Sequence, residues 1–214
     1  MEEPTVGLIL ARHGQSTANA AGIFTGRSDP PLTATGRDEA RRIADQLIEA
    51  GLCPDRIFCA ALDRCRETTA IIVETMGLED CPVTNDPWLN ERDYGLLTGR
   101  RKDEIGELCG ADQLRRWRRS YTDTPPMGES LRDTAARVLR AYVSAILPQA
   151  MTGGTTLIIS CGNALRALVM TLDDLDEHQI ENFDISTGAL LSYQLALNTA
   201  VRSRSTLYNR IGPE

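Results

Sequence analysis

A histidine flanked by potential phosphate-binding groups lies near the N-terminus, in the tripeptide Arg12-His13-Gly14. A neutral imidazole is a good nucleophile toward phosphorus near pH 7, and the neighbouring guanidinium can hold phosphate oxygens through paired hydrogen bonds. Gly14 would let the backbone approach a bound group closely. Taken alone, the tripeptide is equally compatible with a structural histidine at a strand end. Its interpretation therefore depends on the polar groups that the fold brings near it.

Several charged residues further along the chain could belong to the same site. Arg64 follows a predicted strand, Glu91 and Arg92 lie in one polar segment, and Arg118 is adjacent to Arg119. Each has a simpler interpretation as well. Glu91 and Arg92 could form a surface ion pair, and the two adjacent arginines could lie on the solvated face of a short helix.

The residues that could do chemistry follow short apolar runs that predict buried strands. Residues 6–11 precede His13, and residues 155–160 precede Cys161, Gly162 and Asn163. In parallel α/β sheets, ligands bind at the carboxyl ends of the strands. We therefore expect these two strand ends to converge on one site.

The remaining periodicity predicts an α/β fold. The predicted elements are strands at 6–11, 57–62, 155–160 and 189–195, and helices through 40–48 to Gly51, up to Gly77, from the capping residue Ser130, and through 163–172. Strands that alternate with helices indicate a three-layer sandwich, with a mostly parallel central sheet flanked by helices. Residues 1–214 are expected to form a single domain.

Composition excludes several classes of function. The net charge of −7 argues against a nucleic-acid-binding protein, although arginine clusters could still bind a small anionic substrate. No stretch approaches the roughly 18 apolar residues of a membrane span, and no secretory signal is expected. Six cysteines without a C-x-x-C pair, and only two histidines, predict reduced cytosolic thiols and no metal site. We expect a cytoplasmic protein.

These segments together resemble the histidine phosphatase superfamily, and within it the 2,3-bisphosphoglycerate-dependent phosphoglycerate mutases. The resemblance extends from about Leu8 to Tyr193, with the motifs in the expected order. The matching segments are Arg12-His13-Gly14, Asn19, Phe24-Thr25-Gly26, Leu62-Asp63-Arg64, the run 89–95, Lys102, Trp117-Arg118-Arg119-Ser120 and the run 162–168.

The resemblance implies a role for each matching residue. His13 would be the phosphorylated nucleophile, Arg12 and Arg64 would bind the transferring phosphoryl group, and Glu91 would donate and accept the proton of the substrate hydroxyl. The implied substrate-binding residues are Gly14, Ser16, Asn19, Thr25, Gly26, Arg92, Tyr94, Lys102, Arg118, Arg119, Gly162 and Asn163.

Cys161 is the main departure from the family pattern, because the family has a second active-site histidine at this position. That imidazole would donate a hydrogen bond to a phosphoryl oxygen, and loss of one such donor typically costs about 10²–10³ in rate. A neutral thiol is a weak donor, and a thiolate would repel phosphate. A second departure is the short segment Met127-Gly128, where longer members of the family carry an insertion.

The sequence thus predicts interconversion of 3-phosphoglycerate and 2-phosphoglycerate through a phosphohistidine, primed by 2,3-bisphosphoglycerate, in glycolysis and gluconeogenesis. The substrate would be a small phosphorylated molecule, and the chain could form a homo-oligomer. Two alternatives remain open: a phosphomonoester phosphatase of the same superfamily, and a catalytically silent protein that binds phosphorylated ligands.

Overall fold

The computed structural model describes residues 4–208, which are built around one six-stranded sheet in the order β3-β2-β4-β1-β5-β6. Its strands are β1 (Thr5–Arg12), β2 (Arg56–Ala60), β3 (Val83–Asp86), β4 (Thr155–Ser160), β5 (Leu190–Ala196) and β6 (Val201–Tyr208). The first four are parallel, whereas β5 pairs antiparallel with β1 and with β6. The predicted α/β fold with a mostly parallel central sheet is confirmed.

Helices flank this sheet as the two outer layers of the sandwich. They are α1 (Thr17–Ala20), α2 (Ala34–Glu49), α3 (Asp63–Met76), α4 (Lys102–Cys109), α5 (Ala111–Arg119), α6 (Leu131–Ala141), α7 (Leu147–Ala150), α8 (Gly162–Leu172) and α9 (Glu177–Asn182). Helix α2 packs on α3, and α6 packs on α8. Strand β1 is buried along nearly its whole length, as expected of a strand that is covered on both faces.

Most predicted elements coincide with observed ones, but two strands were missed. Strand β2 ends at Ala60 rather than at residue 62, because Leu62 is the N-cap residue of α3. Strands β3 and β6 have largely exposed, polar sequences at the two edges of the sheet. Such edge strands lack the apolar run that predicted the central strands.

The two strand ends that were predicted to converge lie side by side. Arg12 at the end of β1 is in register with Ser160 at the end of β4, and the His13 amide donates to the Ser160 carbonyl at 3.1 Å. His13 and Cys161 therefore begin adjacent loops at the carboxyl edge of the sheet. Between residues 4 and 208, no helix is both long and apolar enough to span a bilayer.

Candidate active site

The His13 ring is buried and its orientation is set by the backbone. Its Nδ1 lies 2.7 Å from the Gly14 carbonyl oxygen. A carbonyl only accepts hydrogen bonds, so Nδ1 carries the proton and the lone pair of the neutral ring is on Nε2. Arg64 Nε donates to that Nε2 at 3.3 Å. The ring thus presents an unprotonated nitrogen beside a fixed positive charge.

Arg64 connects the histidine to the other walls of the site. Its side chain is 1% exposed, and its guanidinium donates to the carbonyls of Ser28 at 2.7 Å and Gly26 at 3.2 Å. It also lies 3.3 Å from the sulfur of Cys161. Arg64 therefore holds the 25–28 loop against the β1 and β4 strand ends.

Cys161 lies at the position where the resemblance implies a second histidine, and it is fully buried. Its sulfur is 3.7 Å from the sulfur of Cys65. Burial would raise the pKa of Cys161, but the hydrogen bond with Cys65 and the charge of Arg64 outweigh burial and lower that pKa well below the ordinary thiol value. Burial and the nearby Cys161 raise the pKa of Cys65. Of the two thiols, Cys161 is therefore the one that ionises more readily.

Glu91 is buried at the N-terminus of helix α8. Its Oε1 accepts hydrogen bonds from the Arg92 amide at 2.7 Å and from the Asn163 amide at 3.2 Å. These two amides hold the Glu91 side chain in the wall of the pocket. Glu91 is therefore not half of a surface ion pair with Arg92.

Tyr94 and Asn163 are joined across the pocket. The Asn163 side-chain amide donates to the Tyr94 hydroxyl at 3.1 Å, and the Arg92 guanidinium lies 4.6 Å from the centre of the Tyr94 ring. Burial opposes ionisation of the phenol, but the charge of Arg92 and the hydrogen bonds from Arg92 and Asn163 together outweigh burial and lower the pKa of Tyr94. Tyr94 is therefore a strong hydrogen-bond donor toward a bound anion.

The C-terminus of helix α5 carries two of the predicted substrate-binding cations, Arg118 and Arg119. Its last carbonyls are held by two buried arginines: Arg92 donates to Trp117 and Arg118, and Arg166 donates to Arg119. These bonds satisfy carbonyls that a helix end leaves without partners. They fix the direction in which the two cationic side chains leave the helix.

Lys102 is positioned by the pairing of two loops, the first at residues 22–26 and the second at residues 98–102. Its amide donates to the Gly22 carbonyl at 2.8 Å, and the Phe24 amide donates to the Arg100 carbonyl at 3.0 Å. Gly26 ends the first of these loops with a φ of 53°, where an added Cβ would come within 2.9 Å of the Thr98 hydroxyl. Only glycine suits this position, and the pairing places Lys102 at the first turn of α4.

These elements surround one cleft of about 80 Å³ that opens to solvent. Its lining residues are Arg12, Asn19, Ile23, Phe24, Thr25, Gly26, Glu91, Tyr94, Lys102, Arg118, Arg119, Gly162, Asn163, Arg166 and Asp184. The cleft therefore combines several cationic groups, which suit a small polyanion, with two acidic residues, Glu91 and Asp184. His13, Arg64 and Cys161 are not among the lining residues; they are buried next to the lining residues Arg12, Gly26 and Gly162, and Arg64 contacts both His13 and Cys161.

Three residues expected to bind substrate instead hold the walls in place. An added Cβ on Gly14 would lie 2.0 Å from the Gly36 carbonyl oxygen, so its glycine is needed for packing against α2. Ser16 is the N-cap of α1 and forms a capping box with Asn19. Arg92 is fully buried and donates to the end of α5.

Sequence reasoning missed Arg166 and Asp184 as parts of this site. Asp184 accepts a hydrogen bond from Arg119 at 2.8 Å, and Arg166 donates to the Asn163 side chain at 2.9 Å. Burial and the nearby charge of Arg119 lower the pKa of Arg166 to about 10, so it remains charged near neutrality. The spacing of Asn163 and Arg166, one helical turn apart after a strand end, was the available signal.

The described part of the chain, residues 4–208, contains no group of three or more His, Cys, Asp or Glu side chains arranged to hold a metal ion. The six cysteines are free thiols.

Comparison with known proteins relates this geometry to a family. The sequence matches the histidine phosphatase superfamily (branch 1) over residues 8–202. A protein of Methylobacterium radiotolerans named 2,3-bisphosphoglycerate-dependent phosphoglycerate mutase is 48% identical over 200 residues, which cover 94% of each chain. The relative is thus about as long as this chain, and the short 126–129 segment does not by itself separate this chain from proteins of that name.

Solved structures match the fold at lower identity. The α-ribazole phosphatase from Shigella flexneri has a TM-score of 0.78 at 24% identity, covering 97% of this chain and 99% of its own. A phosphoglycerate mutase from Bacillus anthracis has the same TM-score at 16% identity, covering 96% and 94%. One fold thus carries both names. On the sequence matches, the chain belongs to branch 1 of the histidine phosphatase superfamily and, within it, to the family of the 2,3-bisphosphoglycerate-dependent phosphoglycerate mutases.

Proposed function

We propose that this chain interconverts 3-phosphoglycerate and 2-phosphoglycerate through a phosphohistidine at His13, primed by 2,3-bisphosphoglycerate. The observation that carries the proposal is the unprotonated Nε2 of His13 beside Arg64, below a cleft lined by Arg12, Glu91 and further cations. Cytoplasmic glycolysis and gluconeogenesis would supply these substrates. The name of the 48% identical relative supports the same assignment.

The residues divide the chemistry between them. His13 Nε2 gives up its hydrogen bond from Arg64 and attacks phosphorus, so that an N–P bond forms while the P–O bond to the substrate oxygen breaks. The Arg12 and Arg64 guanidinium groups stabilise the charge on the transferring phosphoryl oxygens. Glu91 gives its proton to the departing oxygen and takes a proton back from the hydroxyl that attacks in the second half of the reaction.

The cations of the cleft suit a doubly phosphorylated acid. Arg12 lies against Gly162, where an added Cβ would meet its guanidinium at 3.4 Å, and it serves the transferring phosphate together with Arg64. Lys102, Arg118 and Arg119 line the same cleft and would bind the carboxylate and the second phosphate. A mutase must retain its bisphosphorylated intermediate while that molecule reorients, and this second cationic group provides the attraction.

Cys161 is expected to slow this chemistry. A thiolate 3.3 Å from Arg64 partly neutralises the guanidinium that should stabilise the phosphoryl group, and it cannot donate a hydrogen bond to a phosphoryl oxygen. We therefore propose a mutase whose phosphoryl transfer is impaired at this position but whose ligand binding is largely retained.

The test is a coupled enolase assay on the unaltered chain with and without 2,3-bisphosphoglycerate, combined with mapping of acid-labile phosphate. Mutase turnover that depends on the primer, with the label on His13, is the expected result. Phosphate on His178, which is exposed on α9, or on a serine would contradict the assignment.

A phosphomonoester phosphatase is the second candidate, because the cleft opens to solvent and water could reach a ligand there. In a phosphatase, water takes the phosphoryl group from His13. Release of inorganic phosphate that exceeds mutase turnover would favour this candidate.

A further inference from the structure

The backbone that carries Glu91 is held by one arginine of helix α6. Arg137 donates to the carbonyl oxygens of Trp88 and Asn90 at 2.7 Å each and of Glu91 at 2.8 Å. Its side chain is 10% exposed. A single guanidinium thus restrains the peptide groups on both sides of the proposed proton donor.

Arg137 is in turn held by Glu129, which also contacts the opposite wall. Arg137 lies 3.0 Å from Glu129 Oε2, the same oxygen that accepts the Asp93 amide at 3.0 Å. Glu129 Oε1 accepts from Arg27 at 2.7 Å, and Arg27 follows the pocket residue Gly26. Burial would raise the pKa of Glu129, but the hydrogen bonds from Arg137 and the Asp93 amide, together with the charges of Arg137 and Arg27, outweigh burial and lower that pKa, so Glu129 stays charged.

This network is separate from the ligand-binding surface. Neither Arg137 nor Glu129 is among the residues that line the cleft. Any influence of these two side chains on chemistry must therefore pass through the backbone that they hold. That backbone carries Glu91, whose side-chain carboxyl group is held by the amides of Arg92 and Asn163.

We propose that Arg137 and Glu129 are positioning residues that set Glu91 for proton transfer. The inference rests on the proposed function, because it assumes that Glu91 protonates the leaving oxygen. A catalytic group displaced by about 1 Å can lose about 10²-fold in rate. A guanidinium that holds three carbonyls prevents such a displacement without touching the substrate.

The leaving group distinguishes positioning from general stabilisation. Transfer from 2,3-bisphosphoglycerate to His13 expels a strongly basic alkoxide that needs a proton as the P–O bond breaks. Transfer from p-nitrophenyl phosphate expels a stable phenolate that needs none. Loss of a general acid should therefore slow the first reaction by about 10²–10⁴ and the second much less. Both rates are measured in a single turnover, as acid-labile label on His13 and as nitrophenolate release.

We expect Glu91→Gln to slow transfer from 2,3-bisphosphoglycerate by the full factor given above relative to transfer from p-nitrophenyl phosphate. Arg137→Met should slow the first reaction roughly tenfold or more relative to the second. Glu129→Gln should act in the same direction but less, since Arg137 keeps its carbonyl bonds. The double variant of Arg137→Met and Glu91→Gln should be no more selective than Glu91→Gln alone, because both act through one group. Arg140→Met is the matched control, since Arg140 is exposed on the same helix and stacks on the Trp88 side chain.

Each outcome decides the inference. If Arg137→Met slows both donors equally, Arg137 is only a structural residue and the inference is overturned. If Glu91→Gln itself fails to discriminate between the donors, the role of Glu91 in the proposed function is refuted instead. Should Arg137→Met not fold, Arg137→Lys retains the charge beside Glu129 but cannot reach three carbonyls, and the same selective loss is expected of it.

Discussion

Restoring an imidazole at position 161 would test how strongly Cys161 limits the reaction. The backbone frame for it exists, because Cys161 is the N-cap residue of α8 and follows a strand that is paired with the one before His13. Cys161→His replaces a sulfur 3.3 Å from Arg64, whose pKa is lowered, with a group that can donate a hydrogen bond. We expect phosphoryl transfer to accelerate.

The magnitude follows from the donor that is gained. One hydrogen-bond donor aimed at the transferring oxygens is worth about 10²–10³ in rate, or about 2.7–4 kcal/mol. The larger ring must fit where the sulfur is fully buried and 3.7 Å from Cys65, and overpacking typically costs about 1–3 kcal/mol of folding stability. That cost reduces the folded fraction but not the rate of each folded molecule. An increase of roughly 10²-fold per folded molecule is therefore expected.

The assay is rapid-quench phosphorylation of His13 by 2,3-bisphosphoglycerate, normalised to the folded fraction from circular dichroism. Cys65→Ala is introduced as a companion background, alone and with Cys161→His, because it makes room for the ring. Ligand affinity should change less than the rate, since Arg12 and Arg64 are unaltered. A rate that stays flat or falls in both backgrounds would refute the reasoning and favour a protein that binds phosphorylated ligands without efficient turnover.

Three further results are expected. His13→Ala should abolish acid-labile labelling by 2,3-bisphosphoglycerate while the circular dichroism spectrum is unchanged, and any residual label would show another acceptor. Arg118→Ala and Arg119→Ala should raise KM roughly tenfold or more with smaller changes in kcat. Arg116 is exposed on the same helix, and Arg116→Ala should leave both constants unchanged. Unchanged kinetics in the first two variants would support the solvated-helix interpretation. The folded pKa of Cys161 is lowered, so the thiolate is present above that pKa and is neutralised as pH falls through it. Competitive inhibition by sulfate should therefore strengthen toward low pH more in the unaltered chain than in Cys161→Ser. Equal pH dependence in the two proteins would contradict a thiolate.

The central strands and helices were predictable because buried elements have recognisable apolar runs or stripes in their sequence. Strand β4 has the predicted bounds of 155–160, and Ser130 caps α6 as its hydroxyl and the downstream apolar stripe indicated. Local chemistry is enough in such cases. Strand β6, by contrast, has an exposed polar sequence, and its pairing with β5 depends on a neighbour and not on its own periodicity.

The same difference between local and tertiary determinants applies to the residues of the candidate site. Residues adjacent to strand ends, such as His13 and Asn163, could be placed from sequence, because the sheet itself brings strand ends together. The sequence did not reveal which residues line the cleft and which hold its walls in place. Arg92 is next to Glu91 in sequence, yet it donates to carbonyls at the end of α5, some 25 residues away. Such a contact depends on tertiary packing, to which neither spacing nor composition is sensitive.

The buried arginines explain how an acidic chain builds a precise anion site. Arg92, Arg137 and Arg166 each direct a guanidinium at backbone carbonyls: the end of α5 for the first and third, and the 88–91 segment for the second. Carbonyl dipoles balance these charges without adding a carboxylate to the cleft, and a planar fork can hold several carbonyls at once. The Arg118 and Arg119 side chains at the end of α5 are therefore oriented by the buried Arg92 and Arg166. This arrangement predicts that lysine at these three positions would weaken positioning even though the net charge of −7 is unchanged.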